Sequence, residues 1–259
     1  MIVAPPGKVL LAFDLSQAET WVVAYSANEA SMKDALTNGD IHTNTAVALF
    51  DKAVLDISKE ERYIGKRCNH ALSYRMSPEM MAMVINKDAR DSGVSVSLLQ
   101  AKHYYNRWHE RYRIKEWWSE IEGTLKSTRQ LRTIYGRIRT FYAPIGDSLY
   151  KEATAYLPQS TVGDHALGAV QPELGIEGGL RTIHKRFHGN DGIQIVNTAH
   201  DSIMMEVPSN IANEIAPQVY RLFKRPMLIN GEQFEIPVDG EIGDRWGELE
   251  KIPKDKLAA

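Results

Sequence analysis

Val9-Leu10-Leu11-Ala12-Phe13-Asp14-Leu15-Ser16-Gln17-Ala18-Glu19 runs from an apolar segment into a carboxylate and then into a helix-start signal. Val9 to Phe13 has the length and composition of a buried strand. Ser16, followed three residues later by Glu19, reads as a capping box with Ser16 as N-cap. Asp14 therefore stands where a strand ends, just before a helix. An ionised carboxylate there is expensive to desolvate without a partner, and a divalent cation is one such partner. A turn Asp that satisfies backbone donors is the other local reading. The stretch alone leaves both open.

The chain has 259 residues, enough for one large domain or two subdomains sharing a core. Its 43% hydrophobic and 25% charged residues are ordinary for a soluble globular protein. No apolar run approaches a membrane span, and the N-terminus lacks the basic-then-apolar pattern of a secretory signal. The single Cys68 excludes an internal disulfide and fits a reducing, cytoplasmic setting. The formal net charge is −2, but it is unevenly spread. Ala101 to Lys151 carries eleven Lys/Arg against five Asp/Glu; Asp201 to Glu250 carries four against ten. A basic middle can track phosphates or simply form a solvated face.

Ser58 and Glu61 form a second capping-box pattern, opening a helix that runs to about Tyr74 before Ser77-Pro78 stops it. Along that helix Arg62, Lys66, His70 and Tyr74 recur every four residues and so share one face. They form a ridge roughly 18 Å long: two cations, an imidazole, then a phenol. This order suits an elongated ligand with an anionic end and a flat end; a basic surface helix would look similar. Ser97 to Lys126 reads as a helix whose Tyr104, Tyr105, Trp108, Tyr112, Trp117 and Trp118 are core residues. Thr133 to Phe141 reads as a hairpin turning at Gly136. Ser148 to Val170 reads as a helix broken or kinked at Pro158, carrying Lys151, Gln159 and Asp164. Ile193 to Val196 and Ile203 to Val207 form a hairpin with His200 and Asp201 at its tip, and Phe234 to Val238 a further strand.

The order of these signals is more specific than any one of them. Asp14-Leu15-Ser16-Gln17-Ala18-Glu19 resembles the first polymerase motif of family A DNA polymerases, the group of bacterial DNA polymerase I and many phage replicases. Asp40-Ile41-His42-Thr43-Asn44-Thr45-Ala46 resembles the segment that follows it, and the Arg62, Lys66, His70, Tyr74 series resembles the nucleotide-binding finger helix. Gly136-Arg137, Gln159 and His200-Asp201 resemble the later template-contacting and metal-binding motifs, and Gly240 to Trp246 the closing segment. The resemblance spans nearly the whole chain, in family order.

It implies an α+β fold: a polymerase palm with an antiparallel β-sheet and a largely helical fingers subdomain, without thumb or exonuclease domain. Residues 1–38 would be the first part of the palm, 39–140 the fingers and 141–259 the second part of the palm. The implied activity is template-directed addition of dNTPs to a primer 3′-hydroxyl by a two-metal mechanism. Asp14 and Asp201 would be the catalytic carboxylates and, with the backbone carbonyl of Leu15, the ligands of two Mg²⁺ ions, Mn²⁺ being able to substitute. Arg62 and Lys66 would neutralise the triphosphate, with His42 nearby. His70 would lie against the base, and Tyr74 against the templating position or the sugar. Glu19 would sit with Tyr74 and exclude a ribose 2′-hydroxyl. Arg137, Lys151, Gln159 and His200 would contact primer-template DNA.

Three positions depart from the family pattern: His70 stands where Phe or Tyr is usual, Arg75 where Gly follows the tyrosine, and Ser202 where Glu follows the tip Asp. With only 13 residues before Asp14, the reading is of the C-terminal catalytic piece of a split or truncated phage-type polymerase in a bacterial cell, completed by a separate thumb- or exonuclease-bearing subunit. Two alternatives accompany it: a weakly active or inactive structural subunit of a replication complex, and a single-subunit RNA polymerase-like enzyme.

Overall fold

In the computed structural model, which describes residues 2–89 and 93–258, the opening stretch forms strand β1 (Lys8–Leu15). β1 lies between β5 (Ser202–Pro208) and β8 (Val238–Gly243) in an antiparallel sheet completed by β4 (Gln194–Ala199) and β9 (Glu250–Lys251). Side chains alternate across a strand, so β1 has two different faces. Leu11, Phe13 and Leu15 are at most 1% exposed. Their cross-strand partners include Met205 and Ile203 on β5, and Val238 on β8. Phe13 faces Gly240, where an added Cβ would come within 3.1 Å of the ring. On the other face Ala12 and Asp14 look away from that core. The amphipathic helix α10 (Ala212–Phe223) contributes Ile215, Ala216, Val219 and Phe223 to the buried side.

The chain divides into two compact units, and this sheet belongs to the first: Met1–Ala18, Thr133–Arg137 and Gln159–Ala259. The second comprises Glu19–Arg132 and Ile138–Pro158 and is mostly helical. Antiparallel sheet in one unit and helices in the other give the α+β class that the sequence implies.

In the helical unit, α3 (Ile41–Phe50) and α4 (Lys59–Ser73) pack closely. The capping box forms as expected: the Ser58 hydroxyl accepts from Glu61 N–H at 3.2 Å, and the Glu61 carboxylate accepts from Ser58 N–H at 2.9 Å. Gly65 marks the closest approach, since a Cβ there would lie 2.3 Å from the His42 carbonyl oxygen. At its other end α4 closes in a Schellman motif: Met76 N–H donates to Ala71 C=O at 3.1 Å and Arg75 N–H to Leu72 C=O at 3.3 Å. Arg75 occupies the left-handed position, with φ +64°, at a steric cost of about 1 kcal/mol for a residue with a Cβ.

Three local expectations change. α1 spans Ala18–Ser26 and does not start after Ser16, because Gln17 takes a left-handed φ of +57° and interrupts the turn. The single helix expected from Ser97 to Lys126 is two, α6 (Leu98–Arg111) and α7 (Lys115–Thr128). Tyr112 is extended there, fully buried, with its hydroxyl 3.0 Å from Thr45 Oγ1, while Arg113 N–H donates to Glu29 at 2.8 Å. Tyr112 N–H still donates to Trp108 C=O at 2.8 Å, closing the first helix, and the next amide, Arg113 N–H, goes to a side chain. The strand expected from Phe234 to Val238 is also split, into β7 (Glu232–Glu235), paired with β6 (Pro226–Ile229), and the start of β8. By contrast, α8 (Asp147–Leu167) continues through Pro158. Of the aromatic cluster, Tyr104, Trp108, Tyr112, Trp117 and Trp118 are buried core as expected, while Tyr105 is only half-buried.

Gly65→Ala tests the α3–α4 contact. Helix propensity favours alanine by about 1 kcal/mol, but overpacking against backbone costs about 1–3 kcal/mol and the obstructing atoms here are main chain. The expected outcome is net loss of stability, read as a lower urea midpoint with unchanged slope.

Candidate active site

The candidate residues fall into two groups, one in each unit. In the sheet unit, the register sets Asp14 opposite Ser202 on β5 and opposite Asp239 on β8. Asp201 lies at the tip of the β4–β5 hairpin, and its carbonyl accepts from Leu15 N–H at 3.0 Å. His200, the other tip residue, is exposed with φ +52°. Glu241, opposite Ala12, falls on the same sheet face as Asp14. Together Asp14, Ser202, Asp239 and Glu241 line one hollow, with Trp246 and Leu249 at its side.

Partial burial, then the charges of Asp201, Asp239 and Glu241, push the Asp14 carboxyl up to about 7. Asp14 is nevertheless open to solvent, so repulsion among carboxylates is the cause that a bound cation can relieve. Asp239 and Glu241 were not singled out from the sequence. The period-two spacing Asp239-Gly240-Glu241 carried the signal, but only the pairing of β8 with β1 shows which face it shares.

Among the described residues, no group of three or more His, Cys, Asp or Glu side chains is arranged to hold a metal ion by itself. Asp14 and Asp201 still suit Mg²⁺. This hard cation commonly takes one or two carboxylates and fills its shell with water and substrate phosphate oxygens. Burial is the largest cause of the upward shift of Asp14, and the Asp201, Asp239 and Glu241 charges add to it.

In the helical unit, Arg62, Lys66 and His70 are exposed along α4, and Tyr74 caps its end half-buried. Arg62 Nε donates to Asp40 Oδ2 at 2.6 Å. Asp40 is the N-cap of α3, accepting from Thr43 N–H at 3.1 Å. An exposed ion pair of this kind contributes about 0–1 kcal/mol, so Arg62 can turn to another anion at little cost. Among the described residues Lys66 has no carboxylate within ion-pair distance.

His42 is 5% exposed, and a polar network fixes its state. Trp108 Nε1 donates to Asn69 Oδ1 at 2.8 Å, and Thr45 Oγ1 donates to the same oxygen at 3.0 Å. An indole N–H can only donate, so the Asn69 oxygen faces Trp108 and its amide NH₂ faces His42 Nδ1, at 3.1 Å. Nδ1 therefore accepts, and the imidazole proton is on Nε2. Burial lowers His42 to about 4; the Asp40 charge opposes the shift, and the nearby Arg62, His70 and Lys66 add to it. Partial burial and the cations Lys66 and Arg67 also lower His70. Both rings are neutral at pH 7. Tyr74 donates its phenol proton to Glu19; burial and the Glu19 charge push the phenol upward, so it stays protonated.

The remaining residues are dispersed. Arg137 Nε donates to both oxygens of buried Asp164, at 2.9 and 3.0 Å. The Thr133 hydroxyl also donates to Asp164, at 3.4 Å. Separating a buried carboxylate from its cation costs several kcal/mol, so this guanidinium fixes the Thr133–Arg137 turn, and any DNA contact would use its outer rim. Lys151 pairs with Asp147 at 2.7 Å on the exposed side of α8. Gln159 is exposed on the same helix. Leu15 is buried as a side chain, leaving only its main chain for a ligand.

Residues 1–169 match the sequence model of DNA polymerase family A. DNA polymerase I of Helicobacter pylori is 25% identical over 251 residues, covering 93% of this chain and 25% of that protein. DNA polymerase I of Aquifex aeolicus is 28% identical over 247 residues, covering 94% of this chain and 40% of that one. The DNA polymerase of Bacillus phage SP01 is 22% identical over 258 residues, covering 93% and 26%. The chain thus spans between 25% and 40% of the length of these relatives. A solved structure described as the POL domain of Pol1 from M. smegmatis in complex with DNA primer-template and dNTP superposes with a TM-score of 0.72 at 18% identity, covering 94% of this chain and 41% of that one. That last likeness is one of fold. The profile match covers well over half of the chain, in the segment that holds Asp14, Arg62, Lys66 and Tyr74, and the chain belongs to DNA polymerase family A.

Proposed function

We propose that this chain carries the catalytic centre of a template-directed DNA polymerase, adding dNTPs to a primer 3′-hydroxyl. The observation that carries the reading is the crowded carboxylate face of β1, β5 and β8, in a chain of this family. Asp14 and Asp201 would hold the divalent ions, with the Leu15 carbonyl as a further oxygen. When bound, two such ions acidify the primer hydroxyl and neutralise charge on the triphosphate and the leaving pyrophosphate.

The chain's own side chains do the rest. Arg62 leaves Asp40 for phosphate oxygens, and Lys66 supplies a second fixed positive charge. His42, neutral with its proton on Nε2, offers phosphate a hydrogen bond without adding charge. His70 is neutral and exposed, which suits it to lie flat against a base. Tyr74, bonded to Glu19, forms a wall at the sugar, where a 2′-hydroxyl would have to displace a charge-assisted hydrogen bond. Asp239 and Glu241 raise the negative potential around Asp14 and so strengthen cation binding. His200, Gln159, Lys151 and the rim of Arg137 would contact primer-template DNA.

Primer extension with Mg²⁺, comparing dNTPs with ribonucleotides, tests the reading; arms with and without a separate thumb-bearing polymerase chain test whether grip on duplex must be supplied from outside. Preferential dNTP incorporation is expected, and preference for ribonucleotides would refute it. Asp14→Asn or Asp201→Asn removes a cation ligand worth several kcal/mol of transition-state stabilisation, so extension should fall by about 10³-fold or more. Undiminished extension by either variant, with circular dichroism unchanged, would sink the two-Asp assignment.

A pH experiment needs no catalysis. Burial and the neighbouring carboxylates push the Asp14 carboxyl up to about 7 in the folded chain, from an ordinary value of 3.8. Between those values the folded state holds a proton that the unfolded state has released, so this group's contribution to stability falls as pH rises through that window. In EDTA, the difference in thermal midpoint between Asp14→Asn and wild type should grow in favour of the variant from pH 5 to pH 8. Adding Mg²⁺ at pH 8 should raise the wild-type midpoint more than that of the variant. A pH-independent difference would show that neither burial nor neighbouring charge raises the Asp14 carboxyl.

A further inference from the structure

Arg75 ends the nucleotide-facing helix in a backbone conformation that favours glycine, with φ +64°. What it does with its side chain is unusual for such a position. The guanidinium lies 5.0 Å from the Trp118 ring centroid and 5.4 Å from that of Tyr150. It is ion-paired with Glu122 on α7, and its side chain is only 15% exposed. Glu122 is itself within 3.7 Å of Lys126, whose ammonium stands 5.7 Å from the Tyr150 ring. One guanidinium nitrogen, Nη1, is buried without a hydrogen-bond partner. Stacking and the ion pair, not a full hydrogen-bond set, hold the group in place.

A glycine here would let the end of α4 swing at little cost. Arg75 instead fastens the left-handed turn to α7 and α8. The residue immediately before the fastened turn is Tyr74, whose hydroxyl is bonded to Glu19. We propose that Arg75 is a positioning residue for nucleotide selection: by pinning the turn that ends α4, it holds Tyr74 on Glu19 and sharpens discrimination at the sugar. This rests on the reading of Tyr74 and Glu19 as a sugar wall. It adds the device that keeps the wall still, built from residues that need not touch the nucleotide.

Arg75→Gly removes the pin while relieving the backbone, so the variant should fold. Glu122→Gln keeps size and helix propensity but loses the ion pair. Arg75→Lys keeps the charge but loses the flat stacking surface, and should not rescue. Two measurements on the full chain separate the claims. Amide hydrogen exchange over residues 71–76 should speed up by about tenfold in Arg75→Gly and Glu122→Gln, the scale of losing a stacked, ion-paired guanidinium at a partly buried site. Unchanged exchange would overturn the pin. In primer extension, the ratio of kcat/KM for a dNTP to that for its ribonucleotide should drop by about tenfold in both variants, mainly through a lower ribonucleotide KM. Faster exchange with an unchanged ratio would overturn the role in selection. If the wild-type chain extends no primer with either nucleotide, the polymerase reading fails, while the exchange data still decide whether Arg75 fastens the turn.

Discussion

Repulsion among carboxylates on one face of the central sheet is the constraint around which the first unit is built. β1 cannot relieve it by slipping. A one-residue shift would carry Leu11, Phe13 and Leu15 off the core face and bury Asp14 in their place. All three side chains are essentially inaccessible, so apolar burial locks the register, and the register sets Asp14 opposite Asp239 and beside the hairpin tip with Asp201. Burial energy on one side of a strand is thus spent holding like charges together on the other. A cation is the simplest group that turns this arrangement from a strain into an asset.

The helical unit handles polarity differently. Its core contains a chain of hydrogen bonds from Tyr112 through Thr45 to Asn69, with Trp108 donating to the same Asn69 oxygen. Every donor in that chain has an acceptor, which is the condition under which buried polar groups rigidify a fold and do not weaken it. The network ends at His42 Nδ1. A core interaction therefore decides which nitrogen of the His42 imidazole carries the proton. Loss of Asn69 would be felt at the site as a tautomer change as well as in stability.

Much of this was legible from local pattern. The Val9–Phe13 run, the Ser58–Glu61 box, the four-residue ridge on α4 and the two β-like runs around His200-Asp201 each rest on short-range rules, and those elements form. The misses share a cause: a tertiary partner took a group that the local reading had assigned elsewhere. The local capping pattern does not hold for Glu19, since the helix starts at Ala18, whereas the pairing with Tyr74 that the family resemblance implies does form: the Glu19 carboxylate receives the Tyr74 hydroxyl. Tyr112 was read as helical, yet its burial against Thr45 breaks the helix. Asp239 and Glu241 passed unnoticed because nothing in β8 alone says that it pairs with β1. Asn69, between two motif residues, gave no sign that it faces inward.

The order of charge along α4 follows from the same separation of local and tertiary effects. Arg62 and Lys66 lie exposed in the first half of the helix. His70 and Tyr74 lie towards its end, where burial and neighbouring cations hold the imidazole neutral and the Glu19 carboxylate holds the phenol protonated. A helix dipole would favour the reverse, with cations at the C-terminus. The arrangement runs against that preference, which is worth only a few tenths of a kcal/mol to about 1 kcal/mol on an exposed helix. An elongated ligand with a polyanionic end and a flat, uncharged end reverses the balance, since each phosphate contact to a fixed cation is a charge-assisted hydrogen bond. The stability of the helix does not account for the order of side chains on α4; the proposed nucleotide-binding role does.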